Sequence, residues 1–162
     1  HIALSRLRFP SGACGYQLDV IPRMGLWQDG MDYGHGTGHG VGFRLGVHEG
    51  PQVISPKPVN VKLEPGMVIT NEPGIYRKGR YGIRIENIMV CREDEKNEFG
   101  DFLSFETLSL APYHRALIDL ALLDAEDIRW IDDYHATVRK RLSPLLTTDE
   151  SRWLQAATEK LA

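Results

Sequence analysis

His39, Glu72 and Glu86 are the residues whose types and surroundings suit chemistry beyond solvation. Each sits in a tightly specified backbone: His35-Gly36-Thr37-Gly38-His39, Asn71-Glu72-Pro73-Gly74 and Arg84-Ile85-Glu86-Asn87. An imidazole with two carboxylates is a donor set for a hard or borderline divalent cation, and the chemistry it points to is metal-assisted hydrolysis. Glu72 ends the apolar run Met67, Val68, Ile69 and is held by Pro73-Gly74. Its charge there needs a cation or hydrogen bonds to offset desolvation. Glu86, among Ile83, Ile85, Ile88 and Met89, repeats that situation. Arg84 and Glu86 share strand parity and would project from one face, so a buried Arg84 to Glu86 ion pair is the alternative to ligation. A lone His39 is equally compatible with a structural, hydrogen-bonded role.

One histidine and two acids are a short ligand set for one ion and far too short for two, because paired cations need bridging carboxylates. Asp19, on an expected helix, and Asp29, in a glycine-bounded turn, are expected at the solvated surface, so further acids should come from elsewhere. The glycine-rich run lacks the Gly-Lys-Ser/Thr ending of a phosphate loop, and neither His-Glu-x-x-His nor Gly-x-Ser-x-Gly occurs.

The elements that must position these groups read as strands first and helices after. Six glycines between residues 28 and 42 exclude a helix there, and their alternation would put His35, Thr37, His39 and Val41 on one side of an extended backbone. Something must approach that glycine face closely. Residues 59–63 and 67–71 are expected as strands around the Glu64-Pro65-Gly66 turn, with residues 83–91 forming another and residues 78–82 a polar turn of a hairpin. Residues 102–110 complete the strands. Residues 16–27 read as a helix with Leu18, Ile21 and Trp27 on its apolar face, kinked or split by Pro22. Asp124 caps a helix with an Ile128, Ile131, Val138, Leu142 stripe that ends at Ser143-Pro144, and Thr147 with Glu150 makes a capping box for a last helix carrying Trp153, Leu154 and Leu161. This order predicts an α+β fold.

At 162 residues, 42% hydrophobic and a formal charge of -3, the chain suits one globular core and shows no pull toward nucleic acid. No window approaches the roughly 18 apolar residues of a membrane span. The start lacks the basic and apolar stretches of a signal peptide. Cys14 and Cys91 are far apart and outside any Cys-x-x-Cys pair, which predicts free thiols and a cytoplasmic setting. Residues 1–8 read as the last turns of a helix begun elsewhere, which predicts a segment of a longer chain.

Taken in order, the 35–42 run, Val47-His48-Glu49-Gly50-Pro51, Glu64-Pro65-Gly66-Met67, Asn71-Glu72-Pro73-Gly74 and residues 82–87 resemble the aminopeptidase P family of pita-bread (creatinase/aminopeptidase-like) metallopeptidases. Phe105-Glu106-Thr107-Leu108, Trp130, Tyr134-His135 and the 142–146 segment resemble the C-terminal extension of its large cytosolic form. The resemblance implies that residues 1–110 are the C-terminal portion of a pita-bread catalytic domain and residues 111–162 a helical extension packed on it. It implies a dinuclear site, usually manganese with zinc or cobalt as alternatives, which removes the N-terminal residue from peptides with proline second. His39, Glu72 and Glu86 would be ligands, with Glu86 bridging and Glu72 shuttling a proton. His35 and His48 would contact the substrate carbonyl or the tetrahedral intermediate, and Arg84 would support the site electrostatically. The family's two aspartate ligands have no counterpart here, so the isolated chain is expected to be inactive. The full-length protein is expected to be a homo-oligomer. Prolidase, the dipeptide-cleaving relative, and a non-catalytic interaction module on the same scaffold are the competing readings.

Overall fold

Alternating apolar and polar residues in the middle of the chain pair into an antiparallel sheet, and that sheet is the platform for the candidate site. The computed structural model describes residues 1–44 and 46–161, which divide into two units, His1–Ser109 and Leu110–Ala162. In the first unit, β1 (Phe9–Pro10), β8 (Gly100–Thr107), β7 (Asn87–Asn97) and β4 (Val68–Asn71) lie side by side in that order. Two ribbons flank them: β2 (Gly38–His39) with β3 (Val53–Ile54), and β5 (Gly74–Arg77) with β6 (Tyr81–Arg84). A further bridge, Gly40 to Ile69, ties the strand end of β2 to β4.

Register fixes which face is dry. Ile69 is paired with Met89, Cys91 with Phe105 and Phe9 with Leu103, so these side chains share one face of the sheet and meet Leu4 and Leu18 in the core. Phe9 and Phe105 add a tilted ring contact at 5.1 Å between centroids. Thr70, one residue out of step with Ile69, is carried to the other face, on the side where β2 runs. Both thiols are free and buried, and burial lifts the Cys91 thiol to about 11.

After the short α1 (Ile2–Ser5), the expected helix over residues 16–27 is two helices, α2 (Gly15–Leu18) and α3 (Val20–Gln28), with the chain turning at Asp19. Pro22 sits in the first turn of α3, where its missing N–H costs nothing. Trp27 is half exposed, not part of the core face. Residues 59–63 form no strand: the bridge from Lys62 to Cys14, a Leu63 N–H bond to the Ala13 carbonyl, the Cys14 thiol at Asn60 Oδ1 and the burial of Leu63 in the core hold them instead. The expected strand over residues 83–91 is two strands, interrupted at Ile85 and Glu86. The 78–82 turn does close a hairpin, with Gly79 at φ +73°.

In the second unit, α4 (Ala125–Leu142) and α5 (Thr148–Ala157) start with the anticipated caps: Asp124 accepts from the Glu126 and Asp127 N–H groups, and Thr147 from Glu150. Tyr134, Val138 and Leu154 form its core, with Trp130 stacked on Tyr134 at 5.5 Å. Trp153, expected to contribute, is 63% exposed. Among the described residues no helix is long and apolar enough to cross a membrane.

Candidate metal centre

Both carboxylates stand where one long hairpin bends. β4 pairs with β7 as far as Asn71 opposite Asn87, and β5 pairs with β6 from Gly74 opposite Arg84, so two residues drop out of the ladder on each strand and the register is preserved. Glu72 and Glu86 fall opposite one another at that level, beside a bond from the Ile85 N–H to the Pro73 carbonyl at 3.3 Å. Directly opposed like charges repel, which makes the level unfavourable unless a cation lies near. The alternative of a buried Arg84 to Glu86 ion pair is not what forms, because both residues are exposed. Arg84 instead reaches Glu72, Nη1 to Oε2 at 3.1 Å. Glu86 is exposed, not buried as its neighbours' apolarity implied.

The imidazole arrives on β2. A Cβ at Gly38 would lie 1.9 Å from the Thr70 carbonyl oxygen, so only glycine permits β2 to run this close to β4, and one at Gly40 would lie 1.9 Å from the Glu49 carbonyl oxygen, so glycine is needed there for the approach of that loop. The close approach lets one hydroxyl serve two ligands: Thr70 Oγ1 accepts from the His39 N–H at 3.0 Å and donates to Glu72 Oε1 at 3.0 Å. His39 Nδ1 faces the Gly40 carbonyl at 3.0 Å, where it can only donate, which leaves the Nε2 lone pair turned outward. Nε2 lies 3.1 Å from Glu72 Oε1. Two electron-pair donors at that distance require a proton or a metal cation between or beside them. One ligand atom from each of His39, Glu72 and Glu86 falls within 4.8 Å of the others, so the three residues brought together are the three whose chemistry fits a divalent ion.

His48 stacks on His39 with centroids 3.9 Å apart. His35 is held by Nδ1 to the Gly36 carbonyl at 2.8 Å and by Nε2 to the Tyr76 hydroxyl at 2.9 Å. That hydroxyl also accepts from Arg84 Nε at 2.9 Å, a bond that, ahead of the nearby Glu72 charge, raises the Arg84 pKa above its ordinary value. His35, His39, His48, Glu72 and Arg84 all line one open cleft of about 480 Å³. Tyr76 was missed by sequence reasoning; its place two residues after Pro73-Gly74, on the same ribbon as Arg84, was the available signal. Thr70 was missed too, although it shares strand parity with Glu72.

Asp19 overturns the expectation of a solvated surface residue. It is 2% exposed, paired with Arg23 across one helical turn at 2.7 Å, and its Oδ1 accepts from the Thr37 hydroxyl at 2.7 Å. Asp29 is exposed as expected.

Residues 1–93 match the model of metallopeptidase family M24, and residues 101–161 that of the C-terminal region of peptidase M24. The chain is 50% identical over 163 residues to Aminopeptidase P1 of Lotus japonicus, covering 98% of this chain and 25% of that protein. It is 46% identical over 167 residues to Aminopeptidase P1 of Arabidopsis thaliana, covering 100% of this chain and 26% of that protein. Among solved structures, an X-prolyl aminopeptidase from Caenorhabditis elegans, described as a cytosolic enzyme with a di-nuclear active site, matches with TM-score 0.92 at 42% identity, over 99% of this chain and 27% of that one. An Xaa-Pro dipeptidase from Bacillus anthracis matches with TM-score 0.54 at 30% identity, over 70% of this chain and 28% of that one. The chain thus spans about a quarter of the length of these relatives. Its helices and strands are those of a pita-bread α+β fold. With the family model covering more than half of the residues, including all three that converge at the bend, the chain belongs to metallopeptidase family M24.

Proposed function

We propose that this chain is the C-terminal part of the catalytic domain of a dinuclear metallo-aminopeptidase that releases the N-terminal residue from peptides with proline second. The observation that carries the reading is the convergence of His39, Glu72 and Glu86 at the bend of the hairpin. The family membership and the aminopeptidase names of its relatives support it. Residues 1–110 supply the site and residues 111–162 the extension. His39, Glu72 and Glu86 would hold the metal, manganese being favoured by oxygen-rich ligation. When bound, such ions supply Lewis acidity and bring the pKa of water toward neutrality.

This chain's own residues then do the following. Glu72 Oε2 accepts a proton from the attacking water's position and hands it to the leaving amine, while Oε1 is held by Thr70. Arg84 holds the Glu72 carboxylate in place by its ion pair. His35 and His48 line the cleft and would contact the substrate carbonyl or the tetrahedral intermediate there. The substrate is a proline-containing peptide, and the working form is a cytoplasmic homo-oligomer.

Two aspartate ligands implied by the family resemblance lie outside these 162 residues, so the chain by itself is inactive and holds at most one ion weakly. Titration calorimetry with manganese tests this. A single weak site lost in His39→Ala is the expected result, and two tight sites would overturn it. Tripeptides and longer peptides as substrates of the longer protein distinguish this activity from prolidase, which would take Xaa-Pro dipeptides alone. Absence of any Xaa-Pro hydrolysis in manganese would favour the non-catalytic module.

A further inference from the structure

Arg23 is 3% exposed and its five N–H groups meet five acceptors. Nε and Nη2 donate to the two Asp19 oxygens at 2.7 and 3.3 Å, and Nη1 donates to Asp32 Oδ1 at 2.8 Å. The remaining two go to main chain, Nη1 to the Tyr33 carbonyl at 2.8 Å and Nη2 to the His35 carbonyl at 2.6 Å. A guanidinium has five donors, so this one is saturated. It also lies 3.9 Å over the Tyr33 ring. Burial opposes the charge, but the hydrogen bonds to Asp19 and Asp32 outweigh it and hold the Arg23 pKa above its ordinary value.

Stability alone does not explain such a pair, because apolar residues of similar volume often serve a core as well or better. What the pair provides is a set of partners for a segment that has no ladder. Residues 33–37 belong to no strand, and His35 is flanked by Gly34 and Gly36, the residues least able to hold a backbone still. Arg23 binds the carbonyls on either side of Gly34. Asp19 binds the Thr37 hydroxyl, and also the Thr37 N–H at 3.3 Å, while the Thr37 carbonyl receives the Glu72 N–H at 2.7 Å.

We propose that Arg23, with Asp19, is a positioning residue of the site: it acts through the main chain of residues 33–37 to fix the His35 imidazole at the cleft. This rests on the reading of His35 as a group that faces substrate. The guanidinium's planar fork is what the arrangement needs; a lysine offers three donors from a single point and cannot span the two carbonyls and both carboxylates.

The double variant Asp19→Leu/Arg23→Met, which replaces the pair by apolar side chains of similar size, tests the proposal beside Arg23→Lys. Thermal unfolding reads the fold, and the ring nitrogen resonances of His35 in the metal-free 162-residue chain read its tautomer and its bond to Tyr76. The expected result is a folded double variant whose His35 signals have moved to those of a freely tautomerising ring, with no restoration in Arg23→Lys. In the longer enzyme kcat/KM falls on the order of 100-fold, the scale of a displaced catalytic group. A folded variant with unchanged His35 signals would overturn the proposal, and if the double variant does not fold, Arg23→Lys decides on the same signals. Because those signals are read without metal or substrate, they remain decisive for positioning even if the longer protein cleaves no Xaa-Pro peptide.

Discussion

Two carboxylates at one bend have unlike surroundings, and their roles diverge accordingly. Glu72 is buried with Thr70, His39 and Arg84 around it, whereas Glu86 is exposed. Glu86→Gln in the complete protein keeps shape but weakens the ligand proposed to bridge the two ions, so turnover should be abolished; near-normal rates would refute the dinuclear assignment. Thr70→Val should leave the His39 N–H without its acceptor and remove one of the two partners of Glu72 Oε1, costing about 1–3 kcal/mol of stability and about tenfold in manganese affinity. Chemical denaturation and calorimetry on the same variant check both. The residue types at this site were readable from their motifs, because a histidine among alternating glycines and glutamates set in apolar runs are costly to place without a purpose. Asp19 was not readable: nothing local distinguishes a carboxylate that will receive a buried arginine four residues on from one that faces water.

At the scale of elements, the strand expected over residues 83–91 is two. The pairing of residues 83–91 into one strand looked continuous because Ile85-Glu86 contains no glycine or proline, yet the ladder breaks there since the opposite strand carries Pro73-Gly74. A proline has no N–H to donate, so the interruption is signalled on one strand and suffered by both. The closeness of β2 to β4 was legible as a requirement, from the bare face of alternating glycines, but its partner was not. Gly38→Ala tests that contact. Its Cβ would meet main chain and not a flexible side chain, so the sheet must part, with an expected loss of at least about 2 kcal/mol and of metal binding, measured by denaturant unfolding and calorimetry. Gly25→Ala, where a Cβ meets nothing within 4 Å, is the matched control.

At the scale of the whole chain, the two units carry different sensitivities. His135, fully buried in the second unit, accepts from the Tyr113 N–H at Nε2 over 3.0 Å, so its neutral form holds the proton on Nδ1. Burial holds its pKa below the ordinary 6.5; Asp132 pulls it up, while Arg115 and Arg139 push it down. The unfolded chain therefore binds a proton near pH 6.5 that the folded chain refuses until lower pH. Stability is full above that value and falls as pH drops from about 6.5 toward the folded pKa. Thermal midpoints between pH 7.5 and 5 should decline more steeply for this chain than for His135→Gln, and parallel curves would show that the histidine is not responsible. The caps and stripe of α4 and α5 were legible because they are local; the place of His135 beside Tyr113 was not, because the two are brought together only by the fold.

The preserved register across the bend has a consequence for the order in which the site assembles. Glu72 and Glu86 lie on two arms of one hairpin, closed by a short turn, and such closure is complete within about 1–10 μs. His39 reaches them only through pairing across a longer loop, which is slower for entropic reasons. The expected order is the mutually repelling acidic pair first and the imidazole second. A divalent cation present during refolding meets both carboxylates before the histidine arrives, so its effect should be seen in the folding limb of a chevron as well as in the unfolding limb.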